Sequence, residues 1–193
     1  MFSMQRPTAS KGFTLIELVI VIIVLGILAV IAAAKYVDLK RDAEIARVKG
    51  VAAAFEQSLT FSHTKWQLVA GSGALNDLPD FAGGKLDMNS HGYPLGIDKN
   101  NPMGQPKNIG KGEQGCVDLW NTLQQDPPSV SLSKVNNNSD FQAYRHQAEV
   151  NPDGQTQCSY VLRTLGDTKG YQQADIKIVY DSVAGSATAV IRE

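Results

Sequence analysis

Cysteine is nearly absent from this chain: Cys116 and Cys158 are the only two in 193 residues, and no C-x-x-C pair occurs. That excludes zinc ribbons and dithiol redox centres, which need closely spaced thiols. Histidine is as scarce, and His63, His91 and His146 lie too far apart in sequence to form a ligand motif. No G-x-S-x-G elbow or comparable nucleophile signature is present. The chain therefore reads as a non-enzyme that takes no cofactor and no metal. An excess of charge of either sign is also missing. The 18 basic and 19 acidic residues give a net charge of −1, so attraction to a nucleic acid through bulk charge is not expected. Tandem repeats are lacking too. With 43% apolar and 19% charged residues, the composition is that of an ordinary folded protein.

Charge is scarcest between Phe13 and Ala34, a run of 22 residues whose single ionisable group is Glu17. As a helix the run spans about 33 Å at roughly 1.5 Å per residue, enough to cross a hydrocarbon core of about 30 Å. An ionised carboxylate in that layer costs roughly 2.5–3.5 kcal/mol on insertion scales, so a chain that keeps one has a use for it. Upstream lies the short leader Met1–Gly12, with Arg6 and Lys11. One alternative is an ordinary secretory signal cut after Ala32-Ala33-Ala34, which would release a soluble periplasmic binding protein starting at Lys35. Against it, the run is longer than the roughly 7–15 apolar residues of a signal and contains an acid. A second alternative is a plain single-pass anchor. The flanking charges oppose export: Lys35, Lys40, Arg41, Arg47 and Lys49 follow the run closely, and basic residues normally stay inside the cell.

Beyond the run, no proline interrupts Lys35 to Val69, and Gly50 is the one poor helix former. Ile45, Val48, Ala52, Phe55 and Leu59 recur at spacings of three and four, drawing one apolar stripe, and Gly71-Ser72-Gly73 supplies a stop. A single helix from Phe13 to about Ala70 would measure roughly 87 Å. Residues 71–115, rich in Gly, Pro, Asn and Asp, read as a surface segment with at most short strands. Val117, Leu119, Trp120 and Leu123 predict a short helix halted before Pro127-Pro128. Strands are expected at Phe141–Val150, Gln157–Leu165, Asp175–Asp181 and Ala187–Ile191, with Asn151-Pro152-Asp153-Gly154 as the turn between the first two. The fold class is therefore α+β, a long N-terminal helix packed on an antiparallel sheet of about four strands. The domain reading is a leader at 1–12, an apolar helical half at 13–34, an amphipathic half at 35–70, a connecting region at 71–115 and a sheet region at 116–193. In this reading residues 35–193 make one head.

Two weaker motifs are set aside. Gly110 to Gly115 fits G-x-G-x-x-G, but no strand precedes it and no acid follows at the spacing a dinucleotide site needs. Asp87 to Asp98 faintly echoes a calcium loop, with His91 where an oxygen ligand belongs and Asp98 in place of the bidentate glutamate. It reads as a polar surface turn. Trp66 and Trp120 read as core residues, and Asn136 to Asp140 as an exposed loop.

Gly12-Phe13-Thr14-Leu15-Ile16-Glu17-Leu18 resembles the processing and assembly signature of type IV pilins, of the IVa kind, and of the pseudopilins of type II secretion. With the leader and the amphipathic stretch the resemblance covers about a third of the chain. It implies the pilin fold and cleavage between Gly12 and Phe13 by a prepilin peptidase, which also N-methylates Phe13. It further implies that Glu17 pairs with the Phe13 amine of a neighbouring subunit, giving the buried charge a partner. The implied partners are identical or related subunits, the peptidase, an inner-membrane assembly platform and its ATPase. The implied location is the bacterial inner membrane as a single-pass precursor, then an extracellular pilus for attachment and motility. Gly115 to Trp120 with Pro127-Pro128 is similar to the mannose-sensitive haemagglutinin class; a type II secretion pseudopilin is the alternative. Two free thiols would suit a reduced compartment. Export, and the carboxy-terminal disulfide of the resembled pilins, imply a Cys116–Cys158 bridge that closes a 42-residue loop and is worth about 4 kcal/mol. Ala34 stands where most such pilins have proline, which leaves open whether the helix loosens between Gly26 and that position.

Overall fold

The computed structural model describes residues 12–99, 107–135, 137–148 and 154–192. The chain divides into two compact units, Met1–Ala43 and Glu44–Glu193. Helix α1, Leu15–Val69, starts in the first unit and ends in the second, unbroken through Gly26 and Ala34. Most of the leader lies outside the described residues, as do Pro102, Pro106, Asn136 and the Asn151-Pro152-Asp153 part of the expected turn.

In the first unit every residue from Gly12 to Lys40 is exposed. The second unit is organised around the apolar stripe. Val48, Ala52, Phe55, Leu59, Ser62 and Trp66 are the buried positions of α1, spaced as one face of a 3.6-residue period. Phe55 is at the centre. Its ring meets Trp120 and Tyr160 edge-on at 5.9 Å each and lies 5.4 Å from Tyr180. Helix α2, Glu113–Leu123, supplies Trp120, whose ring packs on Tyr160 at 4.4 Å and on Phe141 at 5.0 Å. The buried polar tips are satisfied: Trp120 Nε1 donates to Pro128 O, Tyr160 to Cys116 O and Tyr180 to Pro94 O. Burial pushes both tyrosine hydroxyls well above their ordinary pKa, so they remain neutral donors.

The four expected antiparallel strands are present as β5 (Phe141–Gln147), β6 (Thr156–Leu162), β7 (Ile176–Asp181) and β8 (Ser186–Ile191). A fifth, β4 (Val130–Leu132), pairs parallel with β5 at the edge. Along β6 and β7 the period-2 alternation turns Cys158, Tyr160, Leu162, Ile176, Ile178 and Tyr180 into the core.

The 71–115 stretch departs from the expectation of a surface segment. It carries a second sheet of three short strands, β1 (Leu75–Leu78), β2 (Leu86–Met88) and β3 (Pro94–Ile97). Leu78, Leu86, Met88, Leu95 and Ile109 are fully buried. Single apolar residues in three- and four-residue strands leave too few repeats for a period to show in the sequence. The 87–98 turn is only partly a surface feature, with Ser90 and His91 exposed at its tip. Asp87 and Asn89 are buried: Asp87 accepts the backbone N–H groups of Asp77 and Lys99, and Asn89 Oδ1 accepts those of His91 and Tyr93. At Gly92 (φ +77°) a Cβ would sit 2.3 Å from the Trp66 ring, so only glycine lets this turn close on the end of α1.

Candidate processing and assembly site

The start of α1 is built by a reciprocal cap. Thr14 Oγ1 accepts the Glu17 backbone N–H at 3.3 Å. The Glu17 carboxylate in turn accepts the Thr14 backbone N–H at 2.9 Å and the Thr14 hydroxyl at 2.8 Å. This is the S/T-x-x-E capping box, which satisfies N–H groups that the first helical turn leaves without partners. Thr14 is the residue that the sequence argument passed over, although the signal stands in plain view as Thr14-x-x-Glu17. Glu17 therefore has local hydrogen-bond partners within its own chain.

Gly12 and Phe13 precede the helix without regular secondary structure, and Phe13 is 83% exposed. From Leu15 onward α1 is long and apolar enough to cross a membrane. The apolar side chains from Leu15 to Leu39 are all exposed, the least so being Val19 at 37%. Such a surface needs lipid or protein cover, since contiguous apolar patches this large mark interaction sites.

The other candidate residues resolve as structure. Cys116 in α2 and Cys158 in β6 form a disulfide with a Cα–Cα distance of 5.6 Å, joining helix to sheet across a separation of 42 residues. His63 stacks between Trp66 and Tyr93 and hydrogen-bonds Gly92 O and Gln67; His146 stacks on Tyr171 at 4.1 Å. Among the described residues no group of three His, Cys, Asp or Glu side chains is placed to hold a metal. The glycines of the G-x-G-x-x-G match serve packing. Gly115 presses on the Gly110 carbonyl, 1.9 Å from where a Cβ would be, and Gly110 N–H donates to Leu95 O. Trp66 and Trp120 are both core residues.

Residues 7–33 match the family model described as the prokaryotic N-terminal methylation motif. Over 45 residues the chain is 56% identical to PilA5, the type IV narrow pilus major component of Thermus thermophilus. That alignment covers 23% of this chain and 39% of the relative, so the chain spans well under half the length of the curated protein it matches. No solved structure matches the chain. The capped turn and the apolar start of α1 thus match the prokaryotic N-terminal methylation motif, and over 45 residues the chain is similar to a type IV pilus component.

Proposed function

We propose that the protein is a structural subunit of a type IV pilus, held in the bacterial inner membrane as a single-pass precursor and then polymerised into a surface filament for attachment and motility. The observation that carries this reading is the fully exposed apolar start of α1, most of which lies within the residues that match the methylation motif. In this reading residues 1–12 are a leader, and a prepilin peptidase cuts between Gly12 and Phe13 and N-methylates the new terminus. The chain is then a substrate of processing enzymes and not itself an enzyme. The apolar half of α1 packs against lipid before assembly and against other copies afterwards. The inner-membrane platform and its ATPase drive the transfer. Residues 71–193, with the amphipathic part of α1 and the Cys116–Cys158 bridge, form the exposed head.

The capping box refines the role of Glu17. Within one chain its carboxylate is held by Thr14; on assembly the same oxygens face the Phe13 amine of a neighbour, and the charge exchanges local hydrogen bonds for an ion pair. Removing one partner of a buried pair leaves the other uncompensated. Glu17→Ala is therefore expected to be processed and to abolish filaments, read by mass spectrometry of the mature terminus and by electron microscopy of sheared cells. N-methylated Phe13 at the mature end supports the proposal, whereas a chain starting at Lys35, or normal pili in Glu17→Ala, refutes it.

A further inference from the structure

A β-sheet leaves backbone N–H and C=O groups unpaired along its two outer strands, and folded proteins guard such edges with bulges, charge, proline, shortness or cover. The two sheets have four edges, β1, β3, β4 and β8, and three of them carry such a guard. Strand β1 is bulged between Leu75 and Leu78 and has Asp77 at φ +60°. In β3 Pro94 has no N–H, its carbonyl takes the Tyr180 hydroxyl, and Leu95 O takes the Gly110 N–H. Strand β4 is three residues long, and Leu132 O at its end takes the Val135 N–H. Strand β8 has none of these. It is six residues long, Ser186-Ala187-Thr188-Ala189-Val190-Ile191, without charge, proline or glycine. Each of the six faces a residue of β7 in unshifted register. On the other side the backbone of β8 has no hydrogen-bond partner among the described residues.

We propose that β8 pairs edge to edge with β8 of a second copy of this chain. The occupant follows by elimination, because the other three edges of a second copy are guarded against an added strand. Like strands meet across a two-fold axis normal to the sheet, which makes them antiparallel. That direction also suits the charges. Arg192 follows each strand, and antiparallel pairing sends the two guanidinium groups to opposite ends, about 20 Å or more apart at roughly 3.4 Å per residue. Parallel pairing would set them side by side. A two-fold contact closes on a pair and adds no third member, so it is not the contact that extends a filament. It joins subunits of two filaments lying side by side. One such edge is a small contact, marginal for two free subunits, and it gains strength when many subunits along each filament engage together. This inference rests on the filament reading and adds to it a lateral contact between filaments.

The test uses sheared filaments of the full-length chain with the native Cys116–Cys158 bridge intact. Thr188 is exposed and alternates with the core-facing Ala187 and Ala189, and opposed or diagonal residues of paired strands have Cβ atoms about 5–8 Å apart. Thr188→Cys, treated with a short thiol-reactive crosslinker, is therefore expected to give a dimer band. With one free cysteine per chain, that band arises where the residue meets its own copy. Asn76→Cys, exposed on the guarded β1 edge, should stay monomeric under the same treatment. Thr188→Lys sets like charges across the pair, so it should abolish side-by-side filaments in electron micrographs while filament yield and the melting temperature of the extracted subunit stay unchanged. No dimer from Thr188→Cys, as much dimer from Asn76→Cys, or side-by-side filaments persisting in Thr188→Lys overturns the inference and leaves the filament reading standing. If the unmodified chain forms no filaments at all, the function proposed above fails, and this contact with it.

Discussion

Two stretches of one helix follow different rules. From Leu15 to Lys40 nothing is buried, and Ile16, Val30 and Ile31 are each more than 60% exposed. From Glu44 onward one apolar stripe goes into a core, with Val48, Phe55 and Leu59 at 0% exposure. Helical propensity is unremarkable in both, so the difference lies in where each stretch gets its stability. The second is held by tertiary packing, as most protein helices are. The first keeps only its own backbone hydrogen bonds and its capping box, and leaves its apolar surface for another environment. Folding energy thus comes from one length of the element, and in the function proposed above assembly draws on the apolar surface of the other.

The sharpest way to break that division is a matched pair of truncations. Phe55→Ala removes the ring that Trp120, Tyr160 and Tyr180 surround and should cost about 3–5 kcal/mol. For a protein of this size each kilocalorie lowers the melting temperature by about 2–4 °C, so the fall in detergent-extracted protein is large. Leu25→Ala, 59% exposed in the first unit, should leave the transition where it was. Equal losses in the two variants would show that the apolar stretch contributes to the same cooperative unit as the head.

A slightly smaller effect is expected from the bridge. The loop closed between Cys116 and Cys158 spans 42 residues, for which chain entropy gives about 4 kcal/mol. Cys116→Ser with Cys158→Ser should lower the head's stability by that order while leaving cleavage at Gly12 intact, read by chemical denaturation beside mass spectrometry of the terminus. Failure of processing in this variant would couple the two units that the comparison separates.

How much of this was legible beforehand depended on the length of each pattern. The stripe Val48, Ala52, Phe55, Leu59 repeats over about three turns, and the predicted face is the buried one. Strands β6 and β7 alternate for six or seven residues, and they too were readable. By contrast, β1, β2 and β3 hold three or four residues each, with burial set by tertiary contact; no local rule marks Leu78 or Leu86 as core. Strand β4 is three residues long and pairs with a strand it adjoins in sequence, yet in parallel, which a meander reading does not anticipate. At the candidate site Glu17 was conspicuous because a lone charge in an apolar run is costly. Thr14 was not, because a threonine there costs nothing and acquires meaning only through the carboxylate three residues on.

The smallest predicted effect asks where along α1 tertiary coupling begins. Arg47 joins Glu44 at 2.8 Å and Asp140 at 3.2 Å, and Asp140 also accepts the backbone N–H and hydroxyl of Ser129. Burial pushes the Asp140 carboxyl up, but the Ser129 hydrogen bonds and the Arg47 guanidinium outweigh it and hold the pKa below the ordinary value. A carboxyl whose folded-state pKa is depressed contributes stability above its unfolded pKa of about 3.9, and that contribution is lost as pH falls through the folded value. Asp140→Asn should therefore cost about 1 kcal/mol at neutral pH, the scale of one partly exposed charge-assisted contact. The gap between variant and parent should close as the medium is acidified below pH 4. Urea titrations of both proteins at pH 7 and at pH 3 measure it. A gap that does not narrow on acidification would mean that the side chain acts there through shape and not through charge.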